Sequence, residues 1–289
     1  MAKDVLQQVR QAVGNLNPQE VRNAAERPLA IRLIASSGPG YTEIEEFLSP
    51  PAFSRKKRLE QAQALHRADD VDATEQFDLE ICEAGLSCPP DAFSYFPEDP
   101  YRMVTEILEA HDDLGLPLAR YFAPFRKPVV ERTINTIAKE NALFSLATAL
   151  PNIAPSVIQL PWSVAEIGSD TAFLTVNQIR MLFLLAGASD RPIGYREQRA
   201  EVASVIAGAF GWRAAARQLV GKIPFGGGLI PKAAVAYAGT YVVGKSAERL
   251  YSIGYGYTRS ERKLAYAEAL ERGKQVARSI LRKRNREDG

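Results

Sequence analysis

Residues 234–256, AVAYAGTYVVGKSAERLYSIGYG, decide how the C-terminal half must fold. Ala236, Thr240 and Gly244 recur at i, i+4 and i+8, so one helix face carries only small side chains. Ala203, Ala207 and Gly211 repeat that spacing upstream. Small residues in this register let two helix backbones approach closely. Between the two sets, KIPFGGGLIP (222–231) supplies a Pro/Gly reversal, so 194–251 reads as a tight antiparallel hairpin. Upstream, NALFSLATALPNIAP (141–155) ends a long helix over 127–150 and opens a second apolar hairpin, and 169–188 is a further helix.

Such apolar faces need a burial partner, which is either protein or membrane. A spanning helix takes about 20 apolar residues. The longest uncharged window, Ala142–Ala165, is interrupted by Pro151, Pro155 and Pro161. Val202–Trp212 and Ala233–Gly244 are shorter. A close-packed soluble bundle and membrane insertion or peripheral docking both stay open. Trp162 and Trp212 at segment ends and the tail Arg282-Lys283-Arg284-Asn285-Arg286 favour an interface. Asn141, Asn177, Gln178, Arg180, Arg213 and Lys232 interrupt these greasy patterns. Buried polar groups require partners, so they read as fixtures tying the hairpins together, or as a polar pocket.

The N-terminal half has a different texture. Val5, Val9 and Val13 mark an amphipathic helix without the apolar core of a secretion signal, and a cytoplasmic location is expected. Asn17-Pro18-Gln19-Glu20 is a helix start. RPLAIRLIAS (27–36) reads as a buried strand, YTEIEEFL (41–48) as a helix, and 49–76 as loop plus one surface helix. FDLEICEA (77–84) alternates as a strand does, 92–96 is another candidate, and Asp99-Pro100 opens a helix through Ala110. The last helix begins with a Thr258/Glu261 capping box.

The strand–ASSGPGYT–helix junction invites comparison with the phosphate loop G-x-x-x-x-G-K-[ST]. Ala35, Gly40, Tyr41 and Thr42 fall on its signature positions, so the cation is missing. No guanine signature Asn-Lys-x-Asp occurs in the chain. The junction is either a Gly/Pro turn or a degenerate nucleotide site built on Ser36, Ser37, Gly38, Gly40 and Thr42. Without the lysine and the metal-site acid, hydrolysis is not expected.

Little else points to catalysis. His66, expected in a charged helix, and His111, beside Asp112-Asp113, have no partner at metal or triad spacing. Glu43–Glu46 reads as a solvated face. Cys82 and Cys88 fit no zinc or C-x-x-C pattern, and two cysteines allow no multi-bridge framework; a reducing compartment is the plain reading, with reactive thiols as the alternative. A net charge of +2 excludes nucleic acid as an expected partner.

Asn177-Gln178-x-x-Met181, Gly208–Gly211 before Arg213, and Ala236–Thr240 together resemble the uncharacterised bacterial YcjF-type helical family over roughly 130–256. That domain often follows Era-like GTPase domains, and its members are described as membrane-associated with no assigned activity. The resemblance implies an α+β, mostly α chain with N-terminal helices over 1–27 and a degenerate GTPase-like α/β unit over 28–127. A helical domain of two hairpins over 128–256 and a basic C-terminal amphipathic helix over 257–289 would follow. It implies a non-enzymatic protein at the cytoplasmic side of the inner membrane, peripheral or embedded. Its partner would be a membrane surface, another protein or a second copy, with no cofactor or metal. A nucleotide-binding switch and a soluble scaffold are the alternatives.

Overall fold

The computed structural model describes residues 2–50, 54–70, 76–149, 170–208 and 228–287. The chain is mostly helical with a four-stranded, all-parallel sheet. It divides into an α/β unit, Glu20–Glu131 with Gly187–Pro192, and a helical unit, Met1–Gln19, Arg132–Ala186 and Ile193–Gly289.

In the α/β unit the sheet order is β2-β1-β3-β4, with β1 Ile31–Ile34, β2 Leu65–Arg67, β3 Leu79–Glu83 and β4 Phe93–Tyr95. The central strand β1 alternates, with Ile31 and Leu33 fully buried. Arg32 stands opposite Glu80 in the β1–β3 register and pairs with it at 2.6 Å, a cross-strand ion pair. Helix α3 (Gly38–Leu48) follows β1, and its Ile44 and Leu48 meet the core. Helix α5 (Pro100–Ala110) starts at the expected Asp-Pro and buries Met103, Val104, Ile107 and Leu108 at helical spacing.

Three expectations need correction here. Residues 49–76 hold a strand, β2, besides helix α4 (Arg55–Ala62), and His66 lies on that strand rather than on a helix. Helix α4 is not purely a surface helix. Gln61 is fully buried and donates to the Tyr121 carbonyl at 2.6 Å, and Lys57 pairs with Asp190 at 2.9 Å. The Lys57 ammonium also lies 5.2 Å from the Tyr121 ring centroid. Cys82 and Cys88 are joined in a disulfide across the turn that follows β3, where Gly85 takes φ +92°. Only glycine adopts that conformation without strain.

The helical unit is built from α1 (Ala2–Asn15), α8 (Asp170–Ala188), α9 (199–208), α10 (Leu229–Ile253) and α11 (Arg259–Glu287). Helix α7 (Ala123–Ala147) supplies its first part to the α/β unit and the rest to this one; α6 (Gly115–Tyr121) and most of α2 (Pro18–Ala25) belong to the α/β unit. Helix α7 begins four residues before the expected start at 127; Pro124 takes its second position, where no amide is needed, and Pro128 lies inside the helix. Phe144 of α7 stacks on Phe173 of α8 with ring centroids 3.8 Å apart.

Gly244, on the small-residue face of α10, packs closely against α7 and α8. A Cβ added at Gly244 would meet Ile134 Cγ1 at 2.8 Å and Met181 Sδ at 3.0 Å. Gly273 of α11 faces the α10 backbone, and a Cβ there would meet the Ala234 carbonyl oxygen at 2.8 Å. Residues 222–227 of the reversal, Arg213, Gly211, both tryptophans and the prolines at 151, 155 and 161 lie outside the described residues.

Candidate functional site

Two places gather the polar residues singled out above, one in each unit. The first is the β1–α3 junction. In the sheet order, β1 is flanked by β2 and β3, so its C-terminal end sits where successive connections diverge. In open α/β sheets ligands bind at that switch point, outside the carboxyl ends of the strands.

Here the junction is satisfied from within. Ser37 caps α3, its Oγ accepting from the Gly40 amide at 3.4 Å. Pro39 offers no amide. Thr42 Oγ1 donates to the Gly38 carbonyl at 3.0 Å. Glu83, at the end of β3, turns one carboxylate oxygen onto Ser36, accepting its amide at 2.7 Å and its hydroxyl at 2.8 Å. That oxygen lies so near Gly40 that an added Cβ would stand 2.9 Å from it. The Ser36 amide and hydroxyl hold the Glu83 carboxyl below its ordinary range.

An internal anion thus takes the Ser36 amide and hydroxyl, two donors that an incoming phosphate could use. Tyr41, at the signature lysine position, is a core residue with 3% exposure. The cation nearest its ring is Arg67 of β2, 5.3 Å from the centroid, and Arg67 is forked onto Glu45 at 2.7 and 2.8 Å. So Glu45, expected on a solvated face, is committed to a bidentate pair.

The other place is the core of the helical unit. Asn141 of α7 donates to Thr240 Oγ1 at 2.7 Å, and Asn177 of α8 donates to Asn141 Oδ1 at 2.9 Å. Gln178 donates to the same Thr240 hydroxyl at 3.1 Å, and that hydroxyl donates to the Ala236 carbonyl at 2.9 Å. Asn177 also donates to Glu140 at 3.1 Å, and Glu140 lies 3.7 Å from Arg180. Burial pushes the Arg180 guanidinium below its ordinary value, against the pull of Glu140. Lys232, near the start of α10, binds Asp170 at 2.6 Å and Thr148 at 3.2 Å, tying three helix ends together.

Five of the six polar residues expected here are therefore interhelical ties, and Arg213 lies outside the described residues. Sequence reasoning misses Thr240 and Glu83. Thr240 has the spacing of a small packing residue, and no local pattern ties Glu83 to a serine 47 positions away.

Beside the network, a groove of about 400 Å³ runs between α8, α9, α10 and the start of α11. Leu182, Val205, Val242 and Leu250 give it an apolar lining, with Gln178 and Arg262 as polar points. Among the described residues, no group of three His, Cys, Asp or Glu could hold a metal ion. Helix α8 alone among the described helices is long and apolar enough to cross a membrane, and 83% of that window is buried inside the protein. No family model, curated protein or solved structure matches the chain.

Proposed function

We propose that this is a non-enzymatic bacterial protein of the YcjF type. In this reading a retired, GTPase-like α/β unit accompanies a helical unit that docks on a membrane surface or on a partner protein. The observation that carries the inert half is the Glu83 carboxylate lodged against Ser36 and Gly40. Phosphoryl transfer relies on cations and amides aimed at the phosphates. This junction turns an acid toward them instead. The parallel β2-β1-β3-β4 order supports descent from a doubly wound nucleotide-binding fold.

The docking half is supported by the small residues Ala203 and Ala207, exposed on α9, and by the apolar run 142–165. A thermal-shift titration of the full chain with GTP or ATP and magnesium tests the first half. No change in midpoint is expected, whereas ligand-dependent stabilisation would establish a nucleotide switch. Carbonate and high-salt washes of bacterial membranes test the second half, since a peripheral protein leaves in salt and an embedded one stays through carbonate.

A further inference from the structure

We infer that the tip of the α10–α11 hairpin, residues 249–264, is the surface that meets an anionic bilayer; this rests on the docking reading above. Three large apolar side chains stand out here: Ile253 is 53% exposed, Tyr255 58% and Leu264 65%. They fall within 12 positions of sequence, whereas the other exposed large apolar residues among those described, Leu59, Leu86 and Tyr101, are spread over more than 40 positions.

The tip that presents them is rigidly built. Gly254 closes α10 in the left-handed conformation at φ 87°, and its amide donates to the Leu250 carbonyl at 2.9 Å. The Thr258/Glu261 capping box starts α11, with the Thr258 amide 2.8 Å from Glu261 and the Glu261 amide 3.3 Å from the Thr258 hydroxyl. Arg249 ties the two helices by binding Glu261 at 2.6 Å, and Ser246 accepts the Tyr257 amide at 3.1 Å. The Arg249 guanidinium lies 4.9 Å from the Tyr255 ring centroid and 5.6 Å from that of Tyr257. The exposed residues are therefore held outward by a capped, cross-braced turn.

Charge selects the partner. From Lys245 to Leu264 the basic residues are Lys245, Arg249, Arg259, Arg262 and Lys263 and the acids are Glu248 and Glu261, so the segment is net positive while the whole chain carries only +2. Both acids are used locally, Glu248 by Lys245 and Glu261 by Arg249. Arg259, Arg262 and Lys263 have no acidic partner among the described residues.

A tyrosine and two aliphatic side chains exposed within a net-positive segment suit the headgroup–acyl boundary of an acidic membrane. A stable protein interface takes about 800 Å² from each partner, far more than three side chains on a turn supply. The basic tail at 282–286 sits at the other end of the 29-residue helix α11, so tip and tail can be tested separately.

The experiment is vesicle flotation of the full chain. Phosphatidylcholine vesicles are compared with vesicles that also contain phosphatidylglycerol, at low and high salt. Wild type is expected to float with the anionic vesicles only, and less in high salt. I253S/Y255S/L264S and R259E/R262E/K263E should each lose on the order of tenfold in partitioning, while a chain truncated before Arg282 keeps its binding.

An environment-sensitive dye on S260C should shift to the blue on anionic vesicles; this readout needs no disruptive substitution. Wild-type binding that survives both tip variants and leaves the dye unshifted would overturn the tip assignment and leave membrane docking intact. Binding lost only with the tail would do the same. A wild-type chain that floats with no vesicle would overturn both the tip and the membrane form of docking, leaving a protein partner.

Discussion

The two polar centres solve opposite problems. At Ser36–Thr42 the backbone presents donors at a strand end, and the chain answers with its own carboxylate. In the helical unit, amide side chains on α7 and α8 reach into an apolar core and converge on one threonine of α10. The strand-end centre is a ligand-like geometry closed by an internal ligand. The helical centre has the sequence pattern of a ligand pocket but is a set of ties between helices. A polar residue in an apolar pattern says that a partner exists, and only the fold says whether that partner is a neighbour or a guest.

The contrast can be strained hardest through packing. Gly273→Ala drives a methyl into the α10 backbone, so urea unfolding should report a loss of about 2–3 kcal/mol. Gly115→Ala in the α/β unit, whose nearest atom would be 3.5 Å away, should stay within about 0.5 kcal/mol. Equal effects would show that the approach of α11 to the α10 backbone is not what makes the Gly273 substitution costly.

Asn141→Leu comes next. It strands the donors and acceptors of Asn177 and Thr240 in a dry core, and about 2 kcal/mol should be lost in the same measurement. A neutral result would mean that water already reaches the network.

Glu83→Gln tests the other centre through exchange rather than stability. The Ser36 amide should exchange on the order of tenfold faster with deuterium, because a neutral acceptor binds it less strongly. Unchanged exchange would show that the carboxylate is not what occupies the junction.

The smallest effect is a titration. Burial raises the Tyr195 and Tyr266 hydroxyls to about 12, and Tyr195 also donates to the Val13 and Leu16 carbonyls. Both prefer the neutral form in the folded chain. Their contribution is complete below the unfolded value of about 10 and fades as pH rises through about 12. Phenolate absorbance should therefore show late-titrating tyrosines in the native protein, and unfolding should become easier only at strongly alkaline pH.

Elements with local signatures were legible. Asp99-Pro100, the Thr258/Glu261 box and the Asn17 cap, whose Oδ1 takes the Gln19 amide at 3.0 Å, all start helices where sequence puts them. Strands β1, β3 and β4 fall inside their expected segments.

Strand β2 was not legible. Three half-buried residues, Leu-His-Arg, carry no alternation, and only pairing with β1 makes them a strand. Polar residues in the helical core announced a network without naming its hub, since Thr240 shows the spacing of a packing residue. At the strand end, Ser36, Ser37, Gly40 and Thr42 were visible as a loop, and the acid that fills it was not, because its position depends on the β1–β3 register.

The bridge between Cys82 and Cys88 spans a separation of only six residues. Closing so short a ring removes little freedom from the unfolded chain compared with a long-range staple. Its sulfurs also join one strand end to its own turn instead of bolting distant parts together. A thiol-rich compartment could therefore open it with the architecture left standing, and a choice of reducing or oxidising host should matter little for obtaining folded material.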